Sequence, residues 1–340
     1  MKEWQQRKFG ELYKVPSRNG LSKPSRVRGS GYKMINMGEL FANDRIYDID
    51  MELVPLTDSE KEKAKVESGD LLFARQSLIA SGAGKCSIVM KTSELTVFES
   101  HLIRVRLDQE IADPMFYYYY FKSPRSPMRT IVEHCVQAGI KASDLEKLLV
   151  KVPPIEEQRK TARVLSRIDK KIEVNKEINE NLERQAQAYF EELFVVNADP
   201  NWPECTLSDI GSIVAGGTPS KSKSEYYADQ GIAWITPKDL SVDKSKFISH
   251  GENDISELGF SKSSTKKMPA GTVLFSSRAP IGYIAIAQNE LTTNQGFKSV
   301  IPNENIGTSY VYFLLKNLLP TIEGMASGST FKEISGAGMK

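Results

Sequence analysis

The chain has 340 residues, 40% hydrophobic and 26% charged, which sizes it for about two domains and excludes a disordered polymer. No stretch approaches the ~18 uninterrupted apolar residues of a membrane span, and Met1-Lys2-Glu3-Trp4-Gln5 lacks the apolar run of a signal peptide. A net charge of +2 names no partner, while three isolated cysteines, Cys86, Cys135 and Cys205, exclude a disulfide framework or a CxxC metal knuckle and point to a reducing cytoplasm.

The first 36 residues carry nine basic side chains against two acids, which suits either phosphate contact or a solvated face. Gly69-Asp70 is a turn that launches an apolar strand over 71–74. Gly82-Ala83-Gly84-Lys85 looks like the end of a P-loop. However, Ile79 stands where its first glycine belongs and Cys86 where Ser or Thr would bind magnesium, so it is rejected. The aromatic run 116–121 predicts a helix whose tyrosines 117–120 either stack on bases or pack a core. Asp144-Leu145-Glu146-Lys147 has the wrong spacing for a nuclease carboxylate pair and reads as helix surface.

Pro153-Pro154 opens a helix, since a missing N–H costs nothing in a first turn, and Glu156 and Glu157 suit its positive end. No Gly or Pro follows until after Val196. Leu165, Ile168, Ile172, Asn175, Asn179, Leu182, Ala186, Tyr189 and Leu193 form an unbroken 3,4 seam, predicting a coiled-coil rod of roughly 60 Å. Two asparagines on the seam argue for a specific helical mate; the alternative is an amphipathic helix lying on its own domain. Asn197-Ala198-Asp199-Pro200 ends the rod. Beyond it, Ala270-Gly271 launches a strand over 273–276, 281–287 alternates as another, and 310–315 is helical.

The two flanks repeat each other. Trp4, Phe9, Glu11 and Leu12 match Trp202, Leu207, Asp209 and Ile210. Residues 34–40 match 234–240, Gly69–Arg75 matches Gly271–Arg278 with one extra residue before the arginine, and 116–122 matches 310–316. The expected architecture is therefore mixed α/β: one domain over 1–150, the long helix over 151–196, and a similar domain over 197–340. Catalytic signatures are missing. His101, His134 and His250 lie far apart, and Val152-Pro153-Pro154-Ile155 lacks the polar residue of an amino-methyltransferase tetrapeptide. Binding is favoured over catalysis.

The order of domain, Val152-Pro153-Pro154-Ile155-Glu156-Glu157-Gln158, long helix through Ile168-Asp169-Lys170-Lys171-Ile172, then a second domain resembles the specificity subunit of type I restriction-modification systems. Gly216-Gly217-Thr218-Pro219, Trp234-Ile235-Thr236, Asp239-Leu240, Gly69–Arg75 and Gly328-Ser329-Thr330 fit as well, so the resemblance covers essentially the whole chain. It implies two target-recognition domains, each reading half of a bipartite site on double-stranded DNA, with the helix setting the gap. It also implies methyltransferase subunits that hold S-adenosylmethionine and restriction (motor) subunits that hold ATP and magnesium, with no cofactor, metal or catalytic residue on this chain and no membrane. Base-edge and phosphate contacts are expected from Arg75, Gln76 and Ser77, and from Ser276, Ser277 and Arg278. Lys33, Asn36, Lys85, Thr218, Thr236 and Lys238 are secondary candidates; the alternative for any candidate is an ordinary solvated residue, or, for Arg75 and Arg278, a structural pair with a carboxylate such as Asp70 in the first domain. The family's second PPxEEQ-like block and helix are not found before Lys340, so the seam is expected to pair with that of a second copy in a two-fold dimer. A coiled-coil scaffold with two protein-binding domains is the competing function. A self-contained methyltransferase or nuclease is disfavoured by the missing motifs.

Overall fold

The computed structural model describes residues 4–77, 82–134, 138–278, 280–328 and 332–340. Cys135 and the Ser329-Thr330 pair lie outside them. The chain divides into two compact units, Met1–Lys176 and Glu177–Lys340. The division falls inside the long helix.

In the first unit a five-stranded sheet runs Tyr13–Asn19, Leu102–Leu107, Leu71–Ala74, Cys86–Val89, Arg45–Ile46. All neighbours are antiparallel except the last pair. The predicted strand over 71–74 is buried at every residue, because both faces of the sheet are covered. Leu71, Phe73 and Ile88 face one core with Phe9, Tyr117 and Phe121. Leu72, Ala74 and Val89 face another, beneath a small sheet of Glu52–Val54, Tyr32–Ile35 and Thr96–Phe98. The period-two alternation of a strand thus serves two cores at once.

The aromatic run lies on helix Pro114–Lys122, capped by Asp113 with proline in its first turn. Tyr117 and Tyr118 are 0% and 1% exposed, so of the two readings core packing holds and base stacking is excluded for them. The Tyr119 hydroxyl is also engaged; it donates to Asp169 at 2.7 Å.

The long helix spans Ile155–Glu191 and ends in a π-turn, Glu192–Val196; it reaches the expected C-terminal end but starts only after Pro153-Pro154, and Lys151 and Val152 instead finish strand Leu149–Val152, paired with Gln5–Lys8. Its first half docks on the first unit through Gln158, which is fully buried, and Ala162. Gln158 Nε2 donates to the carbonyls of Pro153 (2.8 Å) and Ile111 (3.1 Å), while its Oε1 accepts from the Asp113 amide (2.9 Å). Arg45 grips Asp169 and Glu173, about two and three turns beyond Ala162. In the second unit Glu183 pairs with Lys246 and Lys316, both at 2.8 Å, and Phe190 enters the core beside Tyr310 and Phe313. The predicted seam mostly lies outside these contacts: Ile168, Ile172, Leu182, Tyr189 and Leu193 are 48–63% exposed, and Asn175 and Asn179 are exposed too. Leu165 is half-buried, and Ala186 packs partly against the second unit's core.

The second unit repeats the first. Its main sheet runs Gly211–Ala215, Lys298–Pro302, Val273–Ser277, Ile281–Ala287, Phe247–Ile248, in the same order and directions. Its small sheet contains Asn253–Ile255, Ile232–Ile235 and Thr292–Thr293, plus an added strand, Tyr227–Ala228. Val273 pairs with Ile286 as Leu71 pairs with Ile88. From there Arg75 corresponds to Ser277 and Gln76 to Arg278. The backbone agrees: Arg75 N donates to His101 O and Ser277 N to Gly296 O, while Ile140 N donates to Arg75 O and Ile334 N to Ser277 O. The sequence match of Arg75 with Arg278 is therefore off by one residue.

Candidate nucleic-acid interface

The second unit carries a cleft of about 630 Å³ beside its small sheet. Four predicted residues meet there: Thr218, Thr236, Lys238 and Arg278. Lys221, Asn253 and Gln295 line it as well and were not anticipated. Thr236 caps helix Pro237–Val242; its amide and hydroxyl both donate to Asp239 Oδ2 at 2.7 Å. Asp239 Oδ1 accepts from the Glu252 amide at 2.8 Å, so this carboxylate is occupied in bracing the cleft wall. Lys238 meets Glu252 at 2.6 Å, and that hydrogen bond holds its ammonium pKa above the ordinary lysine value. Trp234 Nε1 donates to Gly217 O at 3.0 Å, fixing the Gly216-Gly217-Thr218-Pro219 segment against the sheet. A Cβ at Gly216 would stand 2.0 Å from Asn294 O, so only glycine admits this approach. Thr218 in turn donates its hydroxyl to Gln295 Oε1.

Arg278 lies at the cleft, loosely paired with Glu333 at 3.4 Å. Its predicted neighbours Ser276 and Ser277 do not reach the surface. Both are 0% exposed; Ser276 Oγ donates to Pro280 O, and Ser277 Oγ to Gly296 O. The strand continues through Ser277, where an exposed loop was expected, and these serines are withdrawn as DNA contacts.

In the first unit Arg75, Gln76 and Ser77 are half-buried, and the last two form a short strand against Ala138–Gly139. Asp70 is not the partner of Arg75: it takes Arg106, Nε to Oδ1 at 2.7 Å. Among the described residues, the Arg75 guanidinium has no hydrogen-bond or ion-pair partner. Lys33 is held by Asp48 (2.7 Å) and Glu94 (3.2 Å), hydrogen bonds that raise its pKa. Asn36 caps helix Met37–Ala42, donates to Met34 O and accepts from Arg28. Lys85 donates to Phe41 O at 2.7 Å, meets Asp44 at 3.4 Å and lies over the Phe41 ring. These three side chains brace local structure and are not free to grip phosphate. Among the described residues no three His, Cys, Asp or Glu side chains gather to hold a metal ion, and no helix is long and apolar enough to cross a membrane.

Residues 1–184 and 200–340 match the family model of the type I restriction modification DNA specificity domain. Over 153 residues the chain is 40% identical to the type I restriction enzyme MjaIX specificity subunit of Methanocaldococcus jannaschii, spanning 44% of this chain and 35% of that protein. It is 22% identical over 414 aligned positions to the HindI specificity subunit of Haemophilus influenzae, covering 97% and 86% of the two. The crystal structure of the S subunit of a type I restriction-modification system from M. genitalium superposes with a TM-score of 0.56 at 17% identity, over 99% of this chain and 86% of that one, a likeness of fold.

Proposed function

The chain belongs to the type I restriction-modification DNA specificity family, and on that premise we propose that it acts as the sequence-reading subunit of such a system, each unit reading one half of a bipartite DNA site. The observation that carries this reading is duplication. The same sheet order recurs on either side of one uninterrupted helix, and the family match covers both copies. Two like modules on a stiff helix make a reader of fixed gap.

In this reading the chain supplies recognition and no chemistry. Methyltransferase subunits bring S-adenosylmethionine, and motor subunits bring ATP and magnesium, in the cytoplasm. Arg278 and Lys221 in the second unit, and Arg75 and Gln76 in the first, supply phosphate and base-edge contacts. The apolar stripe of Ile168, Ile172, Leu182, Tyr189 and Leu193 takes the same stripe of a second copy, antiparallel, with Asn175 and Asn179 choosing the register. Methylation mapping of host DNA with and without this chain, beside its partner subunits, tests the proposal. A bipartite motif that appears only with the chain supports it; an unchanged methylation pattern overturns it.

A further inference from the structure

Between the small sheet and the main sheet of each unit the chain makes one tight turn, and its frame is the same in both. Glu99 N donates to Ile35 O (3.0 Å) as Asn294 N does to Ile235 O (2.9 Å). Leu102 N donates to Glu99 O (3.1 Å) as Phe297 N does to Asn294 O (3.3 Å). Leu21 N donates to Phe98 O (2.8 Å) as Gly217 N does to Thr293 O (2.9 Å). The strands beyond are tied alike, His101 O accepting from Arg75 N and Gly296 O from Ser277 N. Even the close approach recurs, since a Cβ on Gly20 or Gly216 would come within 2.0 Å of a carbonyl oxygen of the turn or its leading strand. Four backbone bonds and a glycine are kept, but the tip changes: Ser100-His101 in one unit, Gln295-Gly296 in the other.

Gln295 is exposed although Thr292, Thr293 and Phe297 around it are 0% exposed. A polar side chain is thus presented from a backbone held by buried neighbours and paired amides, which a readout group needs and a solvated surface residue does not. Thr218 donates to its Oε1 and leaves the second lone pair of that oxygen open. Among the described residues its Nε2 has no hydrogen-bond partner. Lys221 and Arg278 border the same cleft, where flanking phosphates would lie.

Resting on the DNA-reading proposal and deepening it, we infer that this turn is the specificity-determining position of each unit, and that Gln295 reads an adenine. Its Nε2 donates to adenine N7 while Oε1 accepts from the N6 amino group. Thr218 is a positioning residue that fixes the amide plane. Ser100 and His101, the latter's side chain 53% exposed, hold the same address in the first unit, so the two half-sites differ in sequence.

The test selects duplexes from a pool with both half-sites randomised, using the full chain with its methyltransferase subunits. Gln295→Ala should flatten an adenine preference at one position of one half-site by roughly 5- to 150-fold and leave the other half-site alone. Gln295→Glu should move that position toward cytosine, whose N4 donates to a carboxylate. His101→Ala should alter only the opposite half-site. A parent that selects a bipartite site together with a Gln295→Ala variant that selects the same site overturns the turn assignment alone. A uniform loss of affinity at every position does so as well, since it would mark a phosphate contact. A parent with no sequence preference overturns the DNA-reading premise with it. Because Gln295 is exposed, both variants should melt with the parent, which separates lost reading from lost folding.

Discussion

Gln158 closes a polar knot between the long helix and the first unit, and replacing it separates two kinds of cost. Gln158→Ala removes two hydrogen bonds to carbonyls and one from an amide, at 2.8, 3.1 and 2.9 Å, from a site with no exposure. A neutral hydrogen bond contributes about 1 kcal/mol net, and each buried group left unpaired costs about 1–3 kcal/mol. Water entering the vacated space recovers part of that, so the expected loss is about 3 kcal/mol, or roughly 6–12 °C in the Tm of a unit of this size. Gln158→Glu keeps the volume but puts a carboxylate against two carbonyl oxygens. Its folded pKa must therefore rise above the unfolded value. Whatever stability the protonated acid contributes is present below the unfolded pKa and lost as pH rises through the folded one. Thermal unfolding followed by circular dichroism at pH 5 and pH 8 reads both effects. A Gln158→Ala chain within 1 kcal/mol of the parent, or a Gln158→Glu chain indifferent to pH, would refute the reasoning.

Burial pushes the Glu183 carboxyl up, but hydrogen bonds from Lys246, Lys316 and Tyr312 outweigh it and hold its pKa below the ordinary value of 4.5. Its contribution is present above pH 4.5 and fades as pH falls through the lowered value, so Glu183→Gln should cost roughly 1 kcal/mol at pH 7 and less in acid, read from urea midpoints. Ile172→Asp with Leu182→Asp should abolish a concentration-dependent mass increase in light scattering and remove the concentration dependence of the Tm, with the circular dichroism of a folded chain retained; a parent that stays monomeric at micromolar concentration sinks the helix-pairing proposal. Gly216→Ala, driving a Cβ to 2.0 Å from a carbonyl oxygen, should destabilise by several kcal/mol, whereas Gly38→Ala, in a helix with nothing within 4 Å, should stabilise by up to about 1 kcal/mol. A calorimetric comparison of these two variants that found equal effects would contradict the packing described here.

The repeat, the long helix and the strands at 71–74, 273–276 and 281–287 were legible because each rests on local pattern: period, proline punctuation and paired turns. The register of the arginines was not. Sequence matching aligned identical letters through a gap, but position along a strand is set by its ladder, and the ladder to the strand after the turn is even there, Ala74 opposite Leu102 and Ser276 opposite Phe297. Lys33 and Lys85 read as free cations because Asp48, Glu94 and Asp44 lie too far along the chain to be seen as their partners. Gln295 is hidden inside what reads as an ordinary polar turn. The one available signal was its setting, Asn294-Gln295-Gly296 closed in by Thr292-Thr293 and Phe297, which becomes informative once both flanks prove buried.

Each main sheet keeps two apolar interiors apart. One meets the long helix, through Ala162 in the first unit and Phe190 in the second. The other lies under the small sheet and supports the turn, through Phe98 and Leu102 or through Leu291 and Phe297. A substitution at the turn perturbs the second interior, and the sheet screens the first from it. On the proposed reading, changes at a few exposed positions of the turn can alter the DNA target while the packing that attaches each unit to the helix stays intact.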